Sequence, residues 1–415
     1  MTVWDRLVGQ DVAVAPLGAA ARVARAIVAS AEHGEITAEL ISLTGESAPV
    51  PTAAMTHAWL LTGPPGSGRS VAARAFAAAL QCDDAAELGC GHCNSCRTTL
   101  AGTHPDVHAV VPEGLSISVA EMRTVVTKAA RRPTHGKWQV VVIEDADRLT
   151  EAASNALLKA VEEPPERTVF LLCAPSTHPD DVAVTIRSRC RHVALRTPSA
   201  ASVTSVLVKD GVQPEQAEWA AQAAQGHVGR AKRLANDEQA RQSRAAVLAI
   251  PASLTSLHAC MTAADQLVNA AEAEASTNAS GRNAEEVEAL KVALGAGGTG
   301  KGAVAAARGS AGALKELEKR QKSRSTRSQR DALDRSLTDL AAFYRDVLLI
   351  KSGSAFVAQA HPDFAAQVRD VADQVSSAQA LQRLEAVLAC RTALDLNVRP
   401  RIAVEAMTAV LRLPA

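Results

Sequence analysis

Short apolar segments alternate with helical stretches along the N-terminal half of the chain. The apolar segments are bounded by turn residues, as expected of strands buried on both faces of a parallel sheet, and they lie at residues 57–62, 107–111, 139–143 and 168–174. Helical spacing occupies intervals between them, at residues 71–80, 119–130 and 151–163. Pro164 and Pro165 end the last of these helices. The alternation predicts an α/β fold, a parallel sheet with helices on both faces.

Beyond residue 200 the pattern becomes helical and rich in alanine. Turn signals at Gly211, Gly226 and Pro251 divide it. Residues 313–352 contain no Gly or Pro, which predicts one long helix or a helical hairpin. We therefore expect three domains: an α/β domain at 1–197, a small helical domain at 198–245 and an all-helical domain at 246–415.

Two segments depart from these patterns. Residues 275–312 are rich in Gly, Ala, Ser and Asn, a composition typical of a flexible segment. Residues 34–56 carry Gly, Pro, Ser and Thr and are interpreted as an insertion or surface loop.

Composition excludes several classes of protein. Lys and Arg number 44 and Asp and Glu number 44, so the chain does not bind nucleic acid through bulk positive charge. Four Trp, one Tyr and five Phe are too few for an extended base-stacking surface. The N-terminus has no secretory pattern, and the longest apolar runs are shorter than the ~18 residues of a membrane span. We expect a soluble, cytoplasmic protein.

A phosphate-binding loop follows the first predicted strand. The segment is Gly63-Pro64-Pro65-Gly66-Ser67-Gly68-Arg69-Ser70, and a predicted helix begins after it. Glycines let backbone N–H groups converge on phosphate, and the Ser70 hydroxyl is placed to bind Mg²⁺. Arg69 stands where the pattern has Lys, and its larger, planar group predicts weakened hydrolysis. A second glycine-rich match at 295–301 lacks the following Ser or Thr and a preceding strand, so we interpret it as a linker.

Two carboxylates follow the third predicted strand. Glu144 and Asp145 come directly after Ile143, where P-loop ATPases hold Mg²⁺ and polarise the attacking water. The usual order is Asp then Glu. With the order reversed, the first side chain is one methylene longer than usual and the second one methylene shorter. The reversed order is a second departure at a catalytic position.

Four of the eight cysteines crowd into one segment. The spacing Cys82-x7-Cys90-x2-Cys93-x2-Cys96 supplies four sulfurs, which fits a closed structural zinc site. His92 is an alternative ligand, and an iron–sulfur cluster or free thiols are the alternative chemistries.

Residues 3–235 resemble the bacterial clamp-loader subunits of DNA polymerase III, in the AAA+ ATPase superfamily. The motifs that carry the resemblance are the cysteine cluster between loop and second strand, the segment 155–165 (NALLKAVEEPP) and the segment 185–190 (TIRSRC). The resemblance implies an AAA+ domain, a helical lid and a C-terminal helical collar.

The resemblance also implies roles for single residues. Val8 and Gln10 lie in a box at 4–10 that the family places near the adenine. Ser176, or its neighbour Thr177, falls at the first sensor, and Arg230 at the second, shifted by one position. Arg189 matches the arginine that reaches the ATP site of a neighbouring subunit.

The implied partners are gamma/tau and delta subunits in a hetero-pentameric ring, the sliding clamp and, through the complex, primed DNA. The implied cofactors are structural Zn²⁺ and ATP or ADP with Mg²⁺. Arg69 and the order of Glu144 and Asp145 favour the delta prime group, with weak or absent ATPase activity of its own. A gamma/tau-type motor and a zinc-organised binding module are the alternatives. The basic run at 319–335 is more typical of a solvated helix face than of a DNA contact.

Overall fold

The computed structural model describes residues 1–33, 54–293, 303–353 and 359–413. These residues form two compact units, one of Met1–Pro112 and Ser116–Ala235, the other of Glu113–Leu115 and Asn236–Ala415. The predicted linker at 295–301 lies outside the described residues, as does most of the predicted insertion at 34–56.

A five-stranded parallel sheet forms the centre of the first unit. Its strands lie in the order β2-β3-β4-β1-β5, with bounds β1 Ala58–Thr62, β2 Val107–Val110, β3 Gln139–Ile143, β4 Thr168–Ala174 and β5 Arg191–Ala194. The four predicted strands are confirmed. The sequence pattern missed β5, which is short and polar, with Val193 as its one buried residue.

Each face of the sheet carries its own hydrophobic core. Alternate residues of β1 divide between the two cores: Trp59 and Leu61 pack on one face, Ala58 and Leu60 on the other. The helices of this unit are α1 Asp11–His33, α2 Arg69–Gln81, α3 Asn94–Ala101, α4 Val119–Ala129, α5 Glu151–Glu162, α6 Val184–Arg187, α7 Ala200–Lys209, α8 Pro214–Ala223 and α9 Val228–Asn236. Helices therefore cover both faces of a parallel sheet, as predicted.

Hydrogen-bonding side chains fix the starts of the covering helices. Ser118 and Glu121 form a reciprocal capping box at α4, and the Thr150 hydroxyl accepts a bond from the Ala153 N–H at α5. The three predicted helices in this region begin and end within two residues of their expected bounds, although α2 follows Gly68 and has no side-chain cap.

Helix α1 was not predicted. Within the described residues, its segment Asp11–Ser30 is the one stretch long and apolar enough to cross a membrane by length and composition. Leu17, Ala20, Ala24 and Val28 of this helix are buried in the same core as Trp59. Packing against the sheet accounts for the apolar composition.

The second unit is helical. Its helices are α10 Glu238–Ser253, α11 Leu257–Ala293, α12 Ala303–Lys351, α13 Ala365–Gln374, α14 Ser377–Asp395 and α15 Pro400–Leu411. Leu340, Phe343 and Tyr344 of α12 lie at the centre of its core. Beneath them, the buried Arg244 donates to Asp363 Oδ2 at 2.6 Å and to His361 Nδ1 at 2.9 Å.

The structure corrects two sequence expectations here. Residues 275–293 and 303–312, expected to be flexible, are helical. Alanine is the strongest helix former, and Arg282 and Glu286, one turn apart and 2.9 Å from each other, stabilise the helix further. These contributions exceed the cost of the glycines. Pro251, read as a turn signal, lies inside α10 near its end.

The basic run at 319–335 is largely paired within this unit. Arg324 binds Glu286 at 2.6 Å and Arg335 binds Glu274 at 2.6 Å, both across the hairpin of α11 and α12. Arg327 lies 3.7 Å from Asp331 on its own helix. These pairs agree with interpreting the run as a helix face.

Candidate nucleotide, metal and finger sites

The loop after β1 has the conformation of a phosphate cradle. Gly66 and Gly68 adopt φ values of +84° and +93°, a left-handed conformation that residues with a side chain rarely adopt. Helix α2 begins directly afterwards at Arg69, so its first N–H groups face the loop.

Two polar atoms in this loop are buried without a hydrogen-bond partner. One is the hydroxyl of Ser67, a residue only 2% exposed, and the other is Nη1 of Arg69. Ser67 Oγ lies over Gly63, where an added Cβ would stand 2.5 Å from it. Buried polar atoms are normally paired, so these orphaned atoms fit a loop that receives a polar ligand.

Gln10, expected near the adenine, connects the loop to the segment that follows β5. Its Nε2 donates to the carbonyl oxygens of Ser67 at 3.0 Å and Arg196 at 2.6 Å, and its Oε1 accepts from the Arg196 N–H at 3.1 Å. Val8 is half-buried between the first turn and α1. The adenine role of Val8 and Gln10 stays a prediction.

His227, which the sequence analysis did not single out, covers the loop from the start of α9. A Cβ added to Gly66 would collide with Cα, Cβ and Cγ of His227. Arg230, the second-sensor candidate, follows on α9, and its N–H donates to His227 Nδ1 at 3.2 Å. The glycine at 66 thus permits the close approach of His227 at the start of α9.

The carboxylates after β3 are both engaged by arginines. Arg74, one turn beyond Ser70 on α2, forms an ion pair with Glu144, whose side chain is 14% exposed. Asp145 lies 3.8 Å from Arg148. Sequence reasoning missed Arg74, although its spacing of four residues from Ser70 places it on the same helix face.

The carboxyl group of the neighbouring Asp147 has a shifted pKa. Burial, and secondly the Asp145 carboxylate, raise the pKa of Asp147 above its usual value.

At the end of β4, Ser176 donates to Asp181 at 2.5 Å and accepts from the His178 N–H at 2.9 Å. The first-sensor candidate therefore organises its own loop.

The four clustered cysteines converge. Their sulfurs all lie within 4.8 Å of one another, and only Cys93 is more than slightly exposed. Cys82 follows the end of α2, and Cys93 caps α3, where its sulfur accepts a bond from the Cys96 N–H at 3.4 Å. In a tetrahedral zinc site with bonds of about 2.3 Å, sulfurs lie about 3.8 Å apart. The donor set and spacing fit structural zinc.

A hydrogen bond between Cys82 and Cys96 shifts the pKa values of their thiols in opposite directions. The Cys96 side chain lowers the pKa of Cys82 to about 4, and the same contact raises the pKa of Cys96. His92 lies outside this group, with Nε2 3.4 Å from Asp84 and its side chain 70% exposed. Asp84, Cys90 and His92 form a second possible ligand set, less complete than the four sulfurs.

Arg189 lies just beyond α6, at the surface. Its Nη2 is 2.6 Å from Glu162 Oε1, and its Nη1 donates to the Thr185 carbonyl at 2.9 Å. The two side chains of the pair are 39% and 38% exposed. Glu162 ends α5 within the segment 155–165, a signal that sequence reasoning noted without assigning the residue a role.

The match to a known family lies almost entirely within the first unit, which contains the sheet. Residues 47–199 match the family described as DNA polymerase III, delta subunit. The chain is 41% identical over 148 residues to DNA polymerase III subunit delta' of Yersinia pestis, which covers 35% of this chain and 43% of that protein. The Escherichia coli K12 subunit delta' is 38% identical over 152 residues, a match that covers 36% of this chain and 45% of that protein.

A more distant match is DNA polymerase III subunit gamma/tau of Mycobacterium tuberculosis, 32% identical over 157 residues, 37% of this chain and 27% of that protein. A solved gamma subunit-related protein of Thermotoga maritima aligns over 86% of this chain and 93% of its own, with a TM-score of 0.35 and 14% identity. That score carries no argument, so the similarity is based on the sequence matches.

The chain spans about half the length of the delta' relatives it matches. The match includes the phosphate loop, the cysteine cluster and the Ser188-Arg189-Cys190 motif. The parallel sheet and the glycine-rich loop between β1 and α2 agree with the predicted α/β fold with a phosphate-binding loop. Over residues 47–199 the chain is therefore similar to the subunit delta' group of DNA polymerase III.

Proposed function

We propose that the chain acts as a delta prime subunit of a DNA polymerase III clamp loader. In this role it joins gamma/tau and delta subunits in a hetero-pentameric ring that loads the sliding clamp onto primed DNA. Its contribution is Arg189, supplied in trans to the ATP site of a neighbouring motor subunit. A cytoplasmic location follows from this role.

The position of Arg189 is the observation that carries the proposal. The guanidinium stands at the surface, is tethered by Glu162 and the Thr185 carbonyl, and takes no part in either core. An exposed ion pair contributes only about 0–1 kcal/mol, so an incoming phosphate can compete for the arginine at small cost. Glu162 meanwhile limits the orientations that the guanidinium samples.

The geometry supports a non-motor role for the chain's own loop. The carboxylate expected to hold Mg²⁺ is paired with Arg74, and the one expected to polarise water lies near Arg148. Hydrolysis needs both carboxylates at the metal and the water. We infer that ATPase activity of the isolated chain is weak or absent.

The last two helices offer a surface for ring neighbours. Leu381 and Leu388 on α14, two turns apart, are 47% and 44% exposed, and Ile402 and Val410 on α15 are 55% and 43% exposed. Apolar side chains grouped on one helix face favour burial against a partner. We assign these faces to the collar contacts with the other subunits.

The test uses a loader reconstituted from the full chain with its gamma/tau and delta partners. Arg189→Ala should leave assembly intact and slow ATP hydrolysis at the neighbouring site by on the order of 10³-fold or more, since trans arginines have effects of that size. ATP turnover, clamp loading on primed DNA and gel filtration measure the three properties.

Arg132→Ala is the matched control, because that arginine is also on the first unit and its side chain is 89% exposed. It should leave hydrolysis unchanged. Normal turnover by an assembled Arg189→Ala loader would remove the finger from the proposal. Brisk turnover by the isolated wild-type chain would instead favour the motor alternative.

A further inference from the structure

The phosphate loop and the carboxylates beside it make different demands on a ligand. The loop presents its glycines, the start of α2 and two orphaned buried atoms, Ser67 Oγ and Arg69 Nη1. These features fit a phosphate group, because helix N-terminal N–H groups and a guanidinium both bind anions.

The same site does not fit Mg²⁺. Magnesium is held by carboxylates and hydroxyls together with phosphate oxygens, and it requires near-octahedral oxygen ligands. Here the Glu144 carboxylate is mostly buried and already forms an ion pair with the Arg74 guanidinium. To bind the metal, Glu144 would have to release its cation, and the freed Arg74 would then stand close to the bound ion.

The position of Arg74 on α2 allows its guanidinium to supply positive charge beside Glu144, where a bound Mg²⁺ would supply it. Arg74 projects from α2 one turn beyond Ser70, the hydroxyl that binds Mg²⁺ in P-loop proteins. Arg69 and Arg74 both lie on α2, and Glu144 and Asp145 directly follow β3. The Arg74–Glu144 ion pair joins the two segments.

We propose that this loop binds the phosphates of a nucleotide without a divalent cation, with Arg74 neutralising Glu144 where Mg²⁺ would otherwise do so. The inference is independent of Arg189, because it concerns binding at the chain's own loop and not hydrolysis at a neighbour's.

The experiment measures binding of a fluorescent ADP analogue to the full chain, in excess Mg²⁺ and in EDTA. The dissociation constants of the wild type should agree to within about twofold. Arg74→Gln should make binding depend on Mg²⁺, weakening about tenfold or more in EDTA, because Glu144 is then free to bind the metal. Arg132→Gln, a change at an exposed arginine, is the control and should behave as wild type.

Two further measurements keep the outcome clear if Arg74→Gln fails to fold. Arg74→Lys retains the positive charge and should remain independent of Mg²⁺. Electron paramagnetic resonance of Mn²⁺ added to the ADP-bound wild type should show no bound ion. Mn²⁺ bound in proportion to ADP, wild-type affinity that falls about tenfold in EDTA, or no ADP binding at all would each overturn the proposal.

Discussion

At the scale of single residues, the two left-handed glycines of the phosphate loop have different surroundings. Gly66 faces His227 so closely that any Cβ would collide with it, whereas Gly68 has nothing within 4 Å. The sequence pattern predicted both glycines as parts of a cradle. It could not distinguish them, because His227 lies 161 positions away along the chain and reaches the loop only through the fold.

Substituting alanine at each position separates conformational strain from collision. Gly68→Ala should lower the free energy of unfolding by about 1–2 kcal/mol, the cost of a left-handed residue with a Cβ. Gly66→Ala should lose a further ~1–3 kcal/mol, because His227 and the start of α9 must move. Urea unfolding measures both, and equal losses would show that His227 does not constrain the loop.

Asp106 is a second residue whose role only the fold reveals. Although burial opposes ionisation, N–H bonds from Thr134, His135 and Gly136 lower its pKa from 3.8 to about 2. The carboxylate therefore organises the turn that leads into β3.

We expect Asp106→Asn to destabilise the protein by about 2 kcal/mol at neutral pH. Because the folded-state pKa is lowered, this stabilisation is complete above the unfolded-state value and fades as the pH falls from 3.8 towards 2. The gap between wild-type and variant unfolding free energies, measured in denaturant from pH 5 down to pH 3, should therefore narrow. A gap that stays constant with pH would mean that the ionised carboxylate is not the stabilising form.

At the scale of elements, the cysteine segment links two helices to the N-terminus. The Val3 N–H donates to the Gly89 carbonyl at 2.8 Å, and Trp4 Nε1 donates to the Leu88 carbonyl at 3.2 Å. Cysteine spacing alone predicted the convergence of the four sulfurs. It gave no sign that the first residues pack against this segment, since those contacts depend on tertiary structure.

Metal content provides the prediction at this scale. The purified chain should contain one Zn²⁺, and Cys96→Ser should lose it and unfold at a lower temperature, because metal affinity contributes directly to folding. His92→Ala should keep the metal, since its ring lies towards Asp84. Elemental analysis with thermal unfolding checks both variants. Loss of zinc in His92→Ala with retention in Cys96→Ser would assign the site to the alternative ligand set.

At the scale of the whole molecule, the sheet was more predictable than the helical unit. Runs such as residues 139–143 and 168–174 are apolar because both sheet faces are covered, and that pattern is visible in a sequence. Helix α1 was missed because Pro16 and Gly18, residues that usually disfavour helix, lie inside its N-terminal half. In the second unit, alanine and charge favour helix over long stretches, and glycine counts misled where packing and ion pairs decided the structure.

The hairpin of α11 and α12 changes its chemistry along its length. Near the core, Leu267 and Val268 meet the apolar face of α12 around Leu337. Farther out, Glu286 faces Arg324 across the hairpin, and residues 276–293 of α11 contribute no buried apolar side chain among those described. Its outer part therefore has no hydrophobic seam whose register must be kept. Insertions or deletions of whole turns there, each about 5.4 Å long, would disturb charge pairs and not a packed apolar seam. A change in length there should therefore cost less stability than the same change beside Leu267 and Leu337.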